Sequence, residues 1–294
     1  MNRDVEQSGA GQERRPIGVF DSGVGGLSVL AELRRQLPHE DFLYFADTAH
    51  NPYGERTPDE IGRLTLRAVQ WLQQEGCKLV VIACNTACAF SLHEVRAAVS
   101  VPVVGLVPAL KPAVQATRSG VVAVFATPVT LEGSLLQEVI AEHADPAGVQ
   151  VLKVCHRDLV PLVEAGRQGT PQTRELLRAL LAPVADAGAD ALVLGCTHYP
   201  FLVPTLHAEF GDTFRYFDSA AGVAKRTRFL LHQAGHLNPD SQTGGVTLYT
   251  TGDPGVARTV VQGLMPGPLT VLGLLPADVA GGSRPELAPP EAYR

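Results

Sequence analysis

The sequence predicts an α/β fold of two pseudo-symmetric lobes, each built on a mainly parallel sheet, with an active site in the cleft between them. Short apolar runs alternate with segments of helical periodicity along most of the chain, which is typical of parallel sheets covered by helices. Two of the apolar runs, residues 79–84 and 191–196, end in a cysteine that small hydroxyl or amide residues follow. This likeness indicates an internal duplication in which each lobe presents one thiol.

Composition and charge narrow the class of protein. The chain is 45% hydrophobic and 18% charged, with a net charge of −6 and no basic run, which argues against nucleic acid as a partner. No apolar stretch reaches the roughly 20 residues of a membrane helix, and the polar start lacks the apolar core of a signal peptide. Five cysteines form an odd set that does not suggest a secreted disulfide framework. We expect a cytoplasmic protein with free thiols and no membrane partner.

The first lobe begins with a strand at residues 17–20, a turn at 21–26 and a helix whose leucines recur at helical spacing until Pro38. A strand at residues 42–46 follows. The next helix starts at Thr57, with proline in the first turn and a glutamate three residues after the cap.

Three further elements complete this part of the chain. They are a strand that ends at Cys84, a helix to about residue 99 and a short strand at 101–107.

The pattern restarts after Pro108. The second unit is predicted to contain a strand, a helix, a strand, a helix and a strand in that order. These elements lie at residues 121–125, 135–140, 149–154, 173–187 and 191–194. The last strand leads directly into Cys196.

The remaining segment, residues 219–280, is predicted to hold one helix and strands at 245–250 and 269–275, which could complete the first sheet. The predicted first lobe is therefore residues 16–108 plus 219–280, and the second lobe is residues 109–218. Residues 1–15 and 281–294 are polar or rich in Pro and Gly, and are predicted to be disordered tails.

The two duplicated cysteines are candidate acid/base groups. Each would follow a parallel strand and precede a helix, at the edge where open α/β sheets bind ligands. A thiol is mostly protonated at neutral pH, but a helix N-terminus favours its thiolate. His198, two residues after Cys196, could assist that thiol, and Asp21, at the end of the first strand, could relay a proton near Cys84. Two thiols facing one cleft would provide an acid and a base on opposite sides of a substrate.

The residues around these cysteines suit a small anionic ligand. Ser22, Asn85, Thr86 and Thr197 combine polar side chains with backbone N–H groups at predicted helix N-termini, which can bind a carboxylate without arginine. The glycines of residues 21–26 match neither phosphate-binding motif, so tight turning and close packing explain them better.

Other cysteines of the chain have no such setting. Cys77, Cys88 and Cys155 are interpreted as structural or incidental, because a buried cysteine is more often a small core residue than a catalyst. The duplication is what favours a functional role for Cys84 and Cys196.

Four motifs together resemble the glutamate racemase family, within the aspartate/glutamate racemase superfamily. The motifs lie in the family's order and spacing, and the similarity extends from about residue 16 to residue 275. They are Ile17-Gly-Val-Phe-Asp-Ser-Gly-Val-Gly-Gly-Leu27, Asp47 with Pro52-Tyr-Gly54, Ala83-Cys-Asn-Thr-Ala87 and Leu194-Gly-Cys-Thr-His-Tyr-Pro200.

The resemblance implies a racemase that interconverts L- and D-glutamate with two bases, without a cofactor or a metal, and supplies D-glutamate for peptidoglycan synthesis. By position, Cys84 would deprotonate D-glutamate and Cys196 would deprotonate L-glutamate, with Asp21, His198 and Glu164 assisting. The positions that match the family's substrate-binding residues are Asp21, Ser22, Pro52, Tyr53, Gly54, Asn85, Thr86, Thr127, Thr130, Thr197 and His198. We also expect a homodimer, although the residues themselves fix no oligomeric state.

The chain departs from the family pattern at Cys88, where relatives usually carry serine or threonine, and in the segment that follows Thr130. The second departure concerns local substrate contacts of the second lobe rather than the chemistry.

Two other functions compete with this prediction. An aspartate racemase, or another racemase or isomerase of acidic substrates, would keep both thiols, although Pro52-Tyr-Gly54 favours glutamate. Alternatively, Cys84, Cys88, Cys196 and His198 are ligand types that suit zinc without catalysis. The duplicated strand ends fit opposed bases better than a metal site.

Overall fold

The computed structural model describes residues 15–239 and 243–274. Within those residues the strands are Ile17–Asp21 (β1), Phe42–Ala46 (β2), Leu79–Ile82 (β3), Val103–Gly105 (β4), Val121–Phe125 (β5), Gln150–Val154 (β6), Ala191–Leu194 (β7), Arg215–Phe217 (β8), Val246–Thr250 (β9) and Thr270–Gly273 (β10). The α-helices are Leu27–Gln36 (α1), Pro58–Gln74 (α2), Asn85–Ala98 (α3), Leu110–Ala116 (α4), Pro128–Glu132 (α5), Ser134–Val139 (α6), Leu159–Glu164 (α7), Pro171–Asp186 (α8), Val203–Phe210 (α9), Ala220–Ala234 (α10) and Pro254–Leu264 (α11).

The strands form two sheets. The first has six strands in the order β10-β9-β2-β1-β3-β4, and the second has four in the order β6-β5-β7-β8. Every strand pairing in the described part of the chain is parallel. The predicted α/β class with mainly parallel sheets is confirmed.

The duplication is visible in the strand order. Strands β2-β1-β3-β4 of the first sheet and β6-β5-β7-β8 of the second have the same order along their sheets and along the chain. The first sheet is larger because β9 pairs outside β2, with Phe42 opposite Val246, and β10 pairs with β9. As a result, β3 and β7 occupy equivalent places, and each ends two residues before its cysteine.

Burial explains why these segments become central strands. Every residue of β1, β2, β3 and β7 is buried, which matches the near-continuous apolar runs that two-sided helical cover requires. The long helices begin at capping residues. The side chains of Thr57 and Thr170 accept hydrogen bonds from the backbone N–H groups three residues on, and proline follows each cap.

One helix prediction was wrong. The described part of segment 219–280 contains two α-helices rather than one, since α11 follows β9. The missed helix, α11, begins with a capping pattern that hydrophobic periodicity does not reveal. Asp253 accepts hydrogen bonds from the N–H groups of Gly255 and Val256, and Pro254 occupies the first turn. The helix expected at residues 135–140 is present as α6, and a π-helical turn at Ile140–Ala144 continues it. The extended conformation of Gly133 separates α6 from α5.

Several short elements were not predicted at all. These are α4, α7, α9 and β8, which have between three and eight residues and therefore show little periodicity. Residues 1–14 and 281–294 of the predicted tails lie outside the described residues, as does Leu275 at the end of the last predicted strand. No helix of the described chain is long and apolar enough to cross a membrane.

Candidate active site

Cys84 lies between β3 and α3 and caps the helix. Its Sγ accepts a hydrogen bond from the backbone N–H of Ala87 at 3.5 Å, and the thiol donates to the Ser22 hydroxyl oxygen at 3.6 Å. Cys84 is only 4% exposed. This cysteine therefore stands at the carboxyl edge of the first sheet, as predicted.

Asp21 ends β1, the strand beside β3, and is fully buried. One carboxylate oxygen accepts the backbone N–H of Gly23 at 2.8 Å. The other accepts the hydroxyl of Thr197 at 3.2 Å. Because Thr197 follows Cys196, Asp21 connects the end of β1 to the loop that carries Cys196.

Cys196 belongs to a chain of three polar groups. Its Sγ lies 3.7 Å from Nδ1 of His198, whose Nε2 lies 2.6 Å from a carboxylate oxygen of Glu164. The same oxygen accepts the backbone N–H of Val24 at 2.8 Å and an N–H of Asn51 at 3.3 Å. Glu164 thus orients the imidazole and also binds the turn of the opposite lobe. Asn51 was missed in the sequence, where it has no motif of its own.

Three threonines form a buried hydroxyl triangle that joins α3 to the second lobe. The hydroxyl oxygens of Thr86, Thr127 and Thr130 lie 2.8–3.1 Å apart. A triangle of hydroxyls can rotate one O–H toward a ligand and keep its remaining hydrogen bonds.

A polar side wall comes from the segment after β2. Tyr53 is 1% exposed, and its hydroxyl donates to Asp47 at 2.6 Å. The peptide bond between Asn51 and Pro52 is cis. Across the cleft, a Cβ added to Gly54 would lie 3.2 Å from the Cβ of Thr127.

These groups enclose one small cavity. Its lining is Ser22, Pro52, Tyr53, Gly54, Cys84, Asn85, Thr86, Thr127, Val160, Cys196, Thr197 and His198. All but Val160 were predicted, and Val160 lies on α7, whose short apolar sequence gives no signal of a site. Asp21, Thr130 and Glu164 lie behind the lining residues and are hydrogen-bonded to them.

The side-chain amide nitrogen of Asn85 makes no hydrogen bond to the described residues. This N–H₂ group is buried. Because buried polar groups are nearly always paired, this donor is available to a ligand in the cavity that Asn85 lines.

Burial and charge shift the proton affinities of the first lobe's groups. Burial raises the pKa of the Cys84 thiol far above its usual value, and the neighbouring Asp21 carboxylate raises it further. Burial also raises the pKa of Asp21, partly offset by the positive charge of His198. The raised pKa favours the protonated thiol at Cys84.

The pKa of His198 is raised, whereas burial alone lowers the pKa of a histidine. Burial lowers its pKa, but hydrogen bonds to Cys196 and Glu164 outweigh this effect, and the net pKa lies well above the usual value. The His198 ring, whose raised pKa favours a positive charge, stands 3.7 Å from the Cys196 sulfur. The two thiols therefore have unlike electrostatic environments.

The glycines of the first turn allow the lobes to approach. A Cβ on Gly23 would collide with the Glu164 carboxylate, and a Cβ on Gly25 would collide with the His198 ring. The interpretation of these glycines as close-packing residues is confirmed.

The other cysteines contribute no ligand set. Cys77 and Cys88 are buried and Cys155 is exposed. The Cys88 thiol donates to the carbonyl of Ile82 and its sulfur accepts the N–H of Leu106, while burial raises its pKa to about 12. Within residues 15–239 and 243–274 no group of three or more His, Cys, Asp or Glu is arranged to hold a metal ion, so the zinc arrangement considered above does not form there.

The sequence of this chain is similar to a known family of enzymes. The family model described as Asp/Glu/Hydantoin racemase matches residues 17–227. A glutamate racemase of Deinococcus radiodurans is 58% identical over 252 residues, which are 86% of this chain and 87% of that protein.

The fold of this chain is similar to that of solved glutamate racemase structures. A glutamate racemase isoform of Bacillus anthracis has a TM-score of 0.80 at 30% identity, covering 89% of this chain and 98% of that one. The Escherichia coli glutamate racemase, in complex with L-glutamate and the activator UDP-MurNAc-ala, has a TM-score of 0.77 at 34% identity and covers 89% and 99%.

The chain belongs to the Asp/Glu/Hydantoin racemase family, and it is therefore an enzyme of the isomerase class. The relatives described above are glutamate racemases, and the predicted resemblance to that family is confirmed.

Proposed function

We propose that this chain racemises glutamate by a two-base mechanism in which Cys84 and Cys196 act on opposite faces of Cα. The observation that carries the proposal is the equivalence of the two thiols: each follows the matching strand of its own sheet, and both line one cavity. A single strand-end cysteine would provide one base, whereas a duplicated pair provides an acid and a base at once.

The proton moves as follows from L-glutamate. The Cys196 thiolate takes the Cα proton, and the electron pair of the broken C–H bond delocalises into the α-carboxylate. The Cys84 thiol then gives its proton to the opposite face, and the new C–H bond produces D-glutamate. In the reverse direction Cys84 is the base and Cys196 the acid.

The polar groups of the cavity support this transfer in three ways. The unpartnered Asn85 donor and the threonine triangle are placed to bind carboxylate oxygens, which stabilises charge as it develops. Glu164 holds His198 in line with Cys196. The small cavity keeps water away from the carbanion-like state.

We propose the same substrate-binding and assisting roles for the residues that the family resemblance implies. The lining of the cavity and the hydrogen bonds behind it support these roles. We also propose that the lobes are residues 16–108 plus 219–280 and residues 109–218, and that cleft opening between them admits the substrate.

The cellular setting follows from the resemblance. D-glutamate made by this chain would serve peptidoglycan synthesis in the cytoplasm, and the active form would be a homodimer. Sedimentation equilibrium of the full chain tests the oligomeric state.

Circular dichroism tests the reaction itself. Purified protein is incubated separately with L- and D-glutamate under reducing conditions, without added cofactor and with EDTA. Both samples should converge on zero ellipticity, and Cys84→Ala or Cys196→Ala should abolish the change. Cys155→Ser is the matched control, because that thiol is exposed and does not line the cavity. Convergence with aspartate but not glutamate would instead favour the aspartate racemase alternative.

A further inference from the structure

We propose that Asp47 is a positioning residue: it holds the Tyr53–Gly54 wall of the cavity from behind and thereby sets the affinity for the substrate. This inference rests on the proposed function. Asp47 does not line the cavity, so its effect must pass through Tyr53.

The hydrogen bonds of Asp47 are short and directional. Its carboxylate follows β2 and the residue is 1% exposed. One oxygen accepts the Tyr53 hydroxyl at 2.6 Å. The other lies 2.7 Å from Nδ1 of His50 and accepts the Thr251 hydroxyl at 2.8 Å. Three donors therefore converge on one buried carboxylate.

A carboxylate is the group that this arrangement requires. Both oxygens act as acceptors, and hydrogen bonds to an ionised acceptor are stronger than neutral ones. An asparagine would keep one acceptor and place an N–H₂ group against donors. Tyr53 itself is buried, and its phenol would otherwise have to be placed by packing alone.

Hydrogen bonds also join the segment that follows Asp47 to the C-terminal part of the first sheet. The hydroxyls of Thr48 and Thr250 lie 2.6 Å apart, and Thr48 also accepts the N–H of Gly252 at 3.0 Å. The N–H of Ala49 donates to Thr251 at 3.1 Å. The turn that carries the wall is thus fixed to the end of β9, about 200 residues away in the chain.

Gly54 faces Thr127 of the second lobe, because a Cβ added to Gly54 would stand only 3.2 Å from the Thr127 Cβ. A displacement of Tyr53–Gly54 would therefore change the width of the cavity between the two sides. Asp47 therefore fixes the distance between the two sides of the substrate without touching it.

The test compares Asp47→Asn with Tyr53→Phe in steady-state kinetics from both enantiomers. Each variant should raise KM for L- and D-glutamate about tenfold and lower kcat less than about threefold, because ground-state and transition-state binding weaken together. The KM of the double variant should not exceed that of the single variant with the higher KM, since both substitutions break the same hydrogen bond. Direct titration with D-glutamate by calorimetry should show the same loss of affinity.

Tyr216→Phe is the matched control. The Tyr216 hydroxyl is buried in the second lobe and has no partner among the described residues, so its removal should leave KM unchanged. If Asp47→Asn fails to fold, the isosteric Tyr53→Phe variant still decides the question.

Two results would overturn the proposal. One is a fall in kcat with KM unchanged, and the other is a double variant whose KM rises by the product of the single effects. A wild-type protein that does not act on glutamate would refute the proposed function and the inference with it, whereas an active wild type with unaffected variants refutes the inference alone.

Discussion

At the scale of single residues, the two thiols are equivalent in position but not in electrostatics. Cys84 is buried beside the Asp21 carboxylate, whereas Cys196 lies beside a protonated His198. This asymmetry favours a protonated Cys84 and supports its proposed role as the acid toward L-glutamate.

This asymmetry predicts the pH dependence of Cys84 alkylation. Because burial and Asp21 raise the pKa of the thiol above its ordinary value of 9.0, the rate of reaction with iodoacetamide should still be rising above that pH. Mass spectrometry of the peptide that contains Cys84 measures the rate, with the exposed Cys155 reporting on the reagent. A rate that levels off at or below pH 9.0 would contradict the assigned environment.

Asp21 should trade stability for activity. Its pKa is raised on folding, so its neutral form stabilises the fold below the ordinary value of 3.8, and that stability is lost as the pH rises through the folded-state pKa. Asp21→Asn should therefore raise Tm at pH 7, with a gain that shrinks toward pH 4, while kcat falls about 100-fold. Differential scanning fluorimetry across pH gives the first result, and a lower Tm than wild type at pH 7 would contradict it.

At the scale of secondary-structure elements, the turn between β1 and α1 decides how closely the lobes meet. Glycine occupies three of the five positions between Ser22 and Ser28. A Cβ at position 23 or 25 would collide with Glu164 or His198 of the opposite lobe. Val24 uses its backbone N–H to bind Glu164. The glycines of this turn therefore allow His198 and Glu164 of the second lobe to lie close to the first lobe.

Gly25→Ala should disrupt this contact without straining the backbone. Gly25 is not among the glycines with positive φ, so the added methyl acts only by colliding with the His198 ring. A misplacement of about 1 Å near the reacting groups can reduce the rate about 100-fold, and we expect a fall in kcat of that order in both directions.

Gly222→Ala provides the comparison. A Cβ at this position in α10 meets nothing within 4 Å, so activity should be unchanged and stability should increase by roughly 0.5–1 kcal/mol. Equal losses of activity in the two variants would mean that the Gly25 contact does not position His198.

At the scale of the whole molecule, the sequence predicted what is local and repeated. The strand ends that carry Cys84 and Cys196 follow from buried apolar runs, and the repeat of that setting predicted two similar lobes. His198 and Asp21 were found because each lies beside a strand end.

What the sequence did not show depends on distant partners. Thr251 reaches Asp47 from 204 positions away, and Asn51 reaches Glu164 from 113. Neither partner has a periodic or spaced signature. Glu164 itself came only from the family resemblance, since its α7 helix is too short to show periodicity.

The central claim is that each thiol serves one enantiomer. Because the equilibrium constant between enantiomers is 1, kcat/KM must stay equal in both directions for every variant, so overall racemisation rates cannot separate the two roles. Exchange of the Cα proton with solvent can separate them, because it reports removal of the proton alone.

The deciding measurement is therefore proton NMR of Cα–H exchange in D₂O with the Cys84→Ser and Cys196→Ser variants. We expect Cys196→Ser, which keeps Cys84, to exchange D-glutamate and to leave L-glutamate unlabelled, and Cys84→Ser to show the reverse preference. Loss of exchange from both enantiomers to the same degree in each variant would contradict opposed single-base roles.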